Sequence, residues 1–435
     1  MDNVERLIFH FFAHTPTEDQ RRACRNMISF LYARDANSLF MLKGYAGTGK
    51  TSLVSALIKA APYMKIRTVL LAPTGRAAKV LSGDSETTAH TIHKKIYSVV
   101  EDASGGRHFV RTQNKHSYTL FIVDEASMIG TGHDDAFLFS RRSLLEDLLD
   151  YVNSGNHCRL FFIGDEAQLP PVGASESPAL SADYLNYVCD MKVHESQLKE
   201  VVRQDHLSGI LLCATELRRS LSSMADFDEV ILPLFSLSGI HDVVRLGGAD
   251  LIEVLNREYS DHDISDVVFI CRTNRRANLY NQSIRSRVLF RDDEIGTGDY
   301  MMVVKNNYFW LDESDDMSFV ANGDIVEIMS ARNFEEMYGF HFADVTVRFV
   351  DYPNAPTLDC KILLEVLHSE SSSLTADESQ RLYDSVMEDY ADIPNRTERL
   401  EAMRKNPYYN ALQVKFAYAL TCHKTQGGQW PVVFI

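Results

Sequence analysis

A chain of 435 residues is long enough for about three domains. Hydrophobic residues make up 45% and charged residues 24%, an ordinary globular composition that excludes a mainly disordered chain. Lysine and arginine (44) against aspartate and glutamate (60) give a net charge of −16, so any nucleic-acid partner must be met by a local basic surface.

At the N-terminus the apolar run Leu7–Phe12 is short and broken by His10. No stretch approaches the ~18 apolar residues of a membrane span, and no cationic signal precedes the run. Strands are predicted over Ser38–Lys43, Thr68–Ala72, Thr119–Val123 and Arg159–Ile163, each followed by a loop rich in Gly, Pro, Asp or Thr. Strand, loop and helix in repetition imply a parallel sheet covered by helices, with ligands at the carboxyl ends of its strands. Between Ile96 and Thr112 a hairpin is readable: Tyr97–Glu101, the turn Ser104-Gly105-Gly106, and Arg107–Arg111.

The strand Val267–Cys271 and the helix Asn274–Leu289 begin a second α/β unit. Tyr300–Lys305, Asp324–Met329 after the Asn322-Gly323 turn, His341–Phe349 and Leu358–Val366 then alternate like the strands of a small β-barrel. Thr375, followed by Asp377 and Glu378, is a helix N-cap. The α/β pattern returns at Val414–Leu420 and Val432–Ile435. The expected division is a first α/β domain over 1–195 with a hairpin insertion at about 94–118, a second over 196–292 and 408–435, and an inserted barrel with following helices over 293–407.

Seven scattered cysteines, none spaced C-x-x-C, point to free thiols in a reducing cytoplasm rather than to disulfides or a zinc ribbon. Basic residues cluster between Lys59 and Lys95, and six arginines without an acid lie between Arg272 and Arg291. One cluster in each α/β half suggests a nucleic-acid track across a two-domain cleft, with Arg276 and Arg285 among its contacts.

Gly44-Tyr-Ala-Gly-Thr-Gly-Lys-Thr51, between a strand and the helix from Ser52, fits the phosphate loop G-x-x-x-x-G-K-[ST]. Its glycines, Gly44, Gly47 and Gly49, let backbone N–H groups of Thr48, Lys50, Thr51 and Ser52 turn toward phosphate oxygens at a helix N-terminus. Lys50 neutralises the β- and γ-phosphates, and Thr51 is placed to ligate Mg²⁺. The strand Leu120–Val123 ends in Asp124, a second Mg²⁺ ligand through water, and Glu125, a base for the attacking water. Gln168, in Gly164-Asp-Glu-Ala-Gln168, is placed to sense the γ-phosphate. Gln20, in Thr17-Glu-Asp-Gln20, is the candidate for adenine selection, because an amide pairs bidentately with N6 and N7.

These segments, together with Ala72–Ala78, Thr88–His93, Leu198–Gln204 and Tyr418–Gly428, stand in an order that resembles a superfamily-one DNA helicase of the RecD-like and Dda-like branch, with its eukaryotic telomere-associated relatives. The resemblance spans almost the whole chain. It implies two RecA-like P-loop domains with ATP between them, an inserted small β-barrel and a β-hairpin insertion. It assigns DNA contacts to Thr74, Thr88, His90 and His93 on the first domain, and to Thr421, His423 and Lys424 on the second. Thr273 and Asn274 look like another DNA-facing helix start. Arg203 matches the arginine that reaches the γ-phosphate, Gly427 matches a nucleotide contact, and Phe109 or His108 on the hairpin, where relatives carry a strand-separating pin, is the candidate wedge against the duplex.

Relatives end in Ala-x-[Ser/Thr]-Arg-Ala, whereas no arginine follows Arg404 here. The expectation is therefore either a truncated chain or an enzyme that binds its ligands and turns over poorly. The function expected is a Mg²⁺- and ATP-dependent motor on single-stranded DNA that unwinds at duplex junctions. By resemblance alone it moves 5′ to 3′, acts as a monomer away from membranes, and sits in a prokaryotic cytoplasm or nucleoid. The rival is a DNA- or RNA-stimulated ATPase that remodels structures without processive unwinding. A transporter subunit is rejected because Gln426-Gly-Gly-Gln429 follows the Asp-Glu strand by some 300 residues, and a GTPase is disfavoured by the lack of Asn-Lys-x-Asp.

Overall fold

The computed structural model describes residues 2–33, 35, 37–85, 87–101, 107–131, 142–200, 208–224, 233–307, 309–311, 319–352 and 355–435. The first half gives β1 (Ser38–Gly44), β2 (Arg67–Ala72), β3 (Ala89–Thr91), the hairpin pair β4 (Tyr97–Glu101) and β5 (Arg107–Arg111), then β6 (Thr119–Val123), β7 (Arg159–Gly164) and β8 (Lys192–Leu198). All but the hairpin form one parallel sheet in the order β3-β2-β6-β7-β1-β8. Because successive strand residues point to opposite faces, each apolar run feeds two cores at once. Phe40, Leu42, Ile122 and Phe161 pack beneath the helices Glu18–Tyr32 and Lys50–Ala60. Leu39, Met41, Phe121 and Phe162 pack against the helix Leu144–Asn153 on the other face.

The second half gives β9 (Val267–Cys271), the strands β10 (Tyr300–Val303), β11 (Ile325–Met337), β12 (Phe340–Phe349), β13 (Leu358–Leu363) and β14 (Leu412–Phe416) of a closed barrel, then β15 (Ala419–Thr421) and β16 (Val432–Phe434). The strand expected over Val414–Leu420 is thus two strands. β14 closes the barrel between β10 and β13, and β15 pairs in parallel with β9. Asn281, 3% exposed, holds the break. Its amide donates to the Phe416 and Ala419 carbonyls at 3.1 and 2.9 Å and accepts from Ala419 N–H at 2.7 Å. Leu358–Val366 is also shorter than expected, because Glu365–His368 turns helical and packs Val366 beside Leu363. Thr375 caps its helix with a reciprocal Glu378 bond, as its spacing predicts.

The arginine cluster divides on inspection. Arg285 is 7% exposed and grips the fully buried Asp299 with Nε at 3.1 Å and Nη2 at 2.8 Å, while Arg291 holds the same carboxylate at 2.9 Å. Arg285 is therefore a structural residue and not the DNA contact its charge suggested. Removing one partner of a buried ion pair strands the other, which costs about 3–5 kcal/mol. Arg285→Ala is expected to lower the melting temperature sharply; a melt unchanged from wild type would put Arg285 back on the surface.

The barrel meets the first α/β unit at the helix Gly75–Ser85. Lys79 donates to Asp351 at 3.4 Å, and Gly75 lies so close that an added Cβ would sit 2.7 Å from the Asp324 carboxylate. Asp324 is 1% exposed and one of its oxygens accepts from Ala321 N–H at 2.8 Å; the other has no partner among the described residues. Burial first, and then Asp351, push it up to about 7. The folded state therefore holds a proton that the unfolded chain releases near pH 4, and native stability falls as pH rises from about 4 to about 7. Asp324→Asn is expected to gain on the order of 2–4 kcal/mol at pH 8 and little at pH 4. An equal gain at both pH values would contradict this. Among the described residues, no helix is long and apolar enough to cross a membrane.

Candidate active site

β1 delivers the loop Gly44–Thr51 to the carboxyl end of the sheet, where the helix Lys50–Ala60 begins. Gly49 caps that helix in the left-handed region at φ +80°, and a Cβ there would lie 2.5 Å from the Gln20 amide nitrogen. Only glycine suits both demands. Thr48 is fully buried and its hydroxyl donates to the Tyr45 carbonyl at 2.7 Å, tightening the loop. A cleft of about 750 Å³ opens in front, lined by Phe12–Thr15, Gln20, the loop with Gly47, the side of Lys50, Thr51 and Ser52, and by Asp124, Glu125 and Gln168.

Lys50 donates to the carbonyls of Gly44 and, at 3.0 Å, Tyr45. Burial holds its ammonium below the ordinary lysine range, and Asp165, Glu125 and Asp124 oppose that shift. Asp124 and Glu125 follow β6, and Glu125 takes a left-handed backbone at φ +51° with its N–H on the Asp124 carboxylate at 2.9 Å. Its own carboxyl is pushed up to about 7, first by burial and then by repulsion from Asp124, while Lys50 and a hydrogen bond from Gln168 pull it down. Gln168 is oriented by Ser127, whose hydroxyl donates to the amide oxygen at 2.9 Å. Ser127 was not singled out from the sequence, although it sits two residues beyond Glu125. Neither was Lys43, whose ammonium bridges Glu166 at 2.6 Å and Glu195 at 3.1 Å and so pins the Gln168 loop to β1.

Gln20 lies at the cleft but its amide is engaged. The oxygen accepts Thr17 N–H and the nitrogen donates to the Thr48 carbonyl, both at 3.0 Å. One lone pair and one N–H remain for a base, so the residue braces the phosphate loop as well as facing the cleft. Arg203 lies outside the described residues.

The second unit reaches the same carboxylates through the segment after β15. Gln426 donates to the Leu169 carbonyl at 2.9 Å, and a Cβ on Gly427 would stand 2.8 Å from Ala77 and 3.6 Å from the Glu125 side chain. Thr51, Asp124, Glu125 and Gln168 face Thr425–Gln429 across a second cavity of about 350 Å³. The Arg76 guanidinium lies 3.8 Å over the Trp430 ring, closing the seam from the first unit.

Of the residues expected to hold DNA, Thr74, Thr273 and Thr421 sit at the carboxyl ends of β2, β9 and β15, His93 follows β3, and Thr88 and His90 lie before and within β3. Thr74 accepts from Ala77 N–H at 3.2 Å and starts the helix Gly75–Ser85; Thr88 is exposed just before β3. His90 in β3 and His93 after it are neutral: burial, with Lys94 and Lys95 adding repulsion at His90, lowers the first, and burial takes the second down to about 4. Burial thus favours their neutral forms, which can donate to or accept from a backbone. Thr273 caps the helix from Asn274 by accepting Arg276 N–H at 3.3 Å. Thr421 ends β15, and His423 and Lys424 form the short turn after it. Burial and then Lys415 bring the Lys424 ammonium down to about 8. Phe109 stands opposite Val99 in the hairpin; its side chain lies outside the described ones. Among the described residues no three His, Cys, Asp or Glu side chains are gathered as a metal cluster; Thr51 and Asp124 both line the cleft and offer oxygens that suit a hard cation, beside those of Glu125 and Asp165.

Residues 15–226 match the family model described as an AAA domain. The chain is 33% identical over 160 residues to the ATP-dependent RecD2 DNA helicase of Deinococcus radiodurans, covering 37% of this chain and 20% of that protein. It is 25% identical over 299 residues to the ATP-dependent DNA helicase dda of Enterobacteria phage T4, covering 66% of this chain and 60% of that one. It thus spans less than two thirds of either helicase. A crystal structure of Pif1 helicase from Bacteroides in complex with ADP-AlF3 and ssDNA superposes with a TM-score of 0.46 and 16% identity over 97% of this chain and 86% of that one. Residues 15–226 thus match an AAA domain, and over the stretches given the chain is similar to ATP-dependent DNA helicases of the RecD2 and Dda kind.

Proposed function

We propose that the chain is an ATP-driven motor that grips single-stranded DNA across the carboxyl ends of its two α/β sheets and unwinds duplex at a junction. The observation that carries this is the segment Thr421–Gln429. One end holds Thr421, His423 and Lys424, and the other, through Gln426 and Gly427, rests beside Glu125 and Gln168. A change at the phosphates is therefore felt directly by the residues assigned to DNA. The relatives named above as ATP-dependent DNA helicases support the same reading.

The loop amides and Lys50 hold the β- and γ-phosphates, with Thr51 and Asp124 as oxygen ligands for Mg²⁺, which when bound offsets phosphate charge. Glu125, whose environment raises its proton affinity, takes the proton of the attacking water, and the Gln168 amide positions that carboxylate. Loss of the terminal phosphate frees the segment at Gly427, and the two units part. Contacts to phosphates carry little sequence information, so the motor is indifferent to sequence. A single chain suffices, in the reducing cytoplasm its free thiols suit.

The test is displacement of a labelled strand from duplexes bearing a 5′ or a 3′ single-stranded tail. ATP-dependent displacement from the 5′-tailed duplex alone is expected. Displacement from the 3′-tailed duplex alone reverses the polarity. None from either, with hydrolysis still stimulated by the oligonucleotide, makes the chain a remodelling ATPase.

A further inference from the structure

We infer that Arg218 is a catalytic residue of the nucleotide site, placed to hold the γ-phosphate of ATP; this rests on the ATPase reading above. Arg218 belongs to none of the sequence motifs. In the sequence it is half of an Arg-Arg pair on the helix Gly209–Met224, which is not part of the first sheet.

That helix brings the guanidinium onto the phosphate loop from outside. Its Nη2 donates to the Ala46 carbonyl at 3.1 Å, and its central carbon lies 5.2 Å from the centroid of the Tyr45 ring. Tyr45 and Ala46 form one wall of the cleft that Lys50, Glu125 and Gln168 complete. The charge is near enough to Lys50 to contribute to the depression of that ammonium. Two cations held in mutual repulsion at one loop are unfavourable by themselves and become favourable once a polyanion lies between them. Among the described residues, no carboxylate stands within ion-pair distance of Arg218; its neighbour Arg219 takes Glu216 at 3.5 Å. A single backbone carbonyl is a modest partner for a planar five-donor group whose geometry matches phosphate oxygens.

In the reaction the bond from the γ-phosphorus to its bridging oxygen breaks, and the water oxygen forms the new bond. The water proton passes to Glu125, and the negative charge on the transferring oxygens is shared between Lys50 and Arg218. Such a cation acts mainly in the transition state, so its loss lowers turnover more than ground-state binding.

Trapping and turnover test this in the full chain. Arg218→Ala is expected to lower kcat about 100-fold, to keep an ADP affinity near that of wild type, and to lose the trapping of ADP with aluminium fluoride expected of wild type. Arg218→Lys keeps one donor for the Ala46 carbonyl. It is expected to match wild type in melting temperature and ADP affinity and still fail to trap the analogue. A structural role alone would be rescued by lysine in every readout, and that result overturns the inference, as does wild-type turnover by Arg218→Ala. A wild-type chain that neither binds nor hydrolyses ATP overturns instead the nucleotide site beneath it.

Discussion

Lys50→Ala is expected to reduce ATP hydrolysis by about 10³-fold or more and to weaken ATP binding. Lys50 is the cation at the centre of the phosphate loop, already withdrawn from solvent and facing three carboxylates across the cleft. Fixed charge in such a site costs no reorganisation when charge develops on the γ-phosphate, and its removal leaves the loop amides and Arg218 to carry that load. The same substitution deletes only its bonds to the Gly44 and Tyr45 carbonyls, worth about 1.5–3 kcal/mol each for a charged donor, and ends the cost of burying the ammonium, so the fold is expected to survive it. Steady-state hydrolysis with a thermal melt as control separates the two effects. Turnover close to wild type in a folded Lys50→Ala protein would remove the phosphate assignment.

Glu125→Gln is expected to act differently. The amide is isosteric, and it ends the repulsion with Asp124 and the cost of burying a second carboxylate. ATP binding should persist or tighten, while hydrolysis falls by about 10³-fold, because an amide cannot accept the water's proton. Nucleotide titration beside a single-turnover assay reads both quantities. A variant that loses ATP affinity would make Glu125 a binding residue and not the base.

The phosphate loop, the Asp124-Glu125 pair and Gln168 were legible because local backbone geometry dictates them: glycine where φ is positive, a carboxylate where a buried strand ends. The parallel sheet was legible for the same kind of reason, since both faces of β1, β6 and β7 are apolar. β8 escaped notice because Lys192–Leu198 intersperses polar side chains along a sheet edge. The division of β14 from β15 was invisible because the Asn281 amide that makes it comes from 135 residues away. Arg285 misled for a related reason: Asp299, which neutralises it, stands beyond the run of arginines that made the cluster look uncompensated. Ser127 and Lys43 act on Gln168 and its loop through side-chain contacts between strands, which spacing along one chain does not record.

The central claim is that the nucleotide cleft and the DNA face share the segment Thr421–Gln429 and so respond to one another. Titrating a single-stranded oligonucleotide into the full chain while following ATP consumption tests it most directly. A saturable rise in rate, lost when Lys50 is replaced by alanine, is the predicted result. A rate indifferent to oligonucleotide at every concentration and length would contradict it, even if ATP were bound and hydrolysed at the loop.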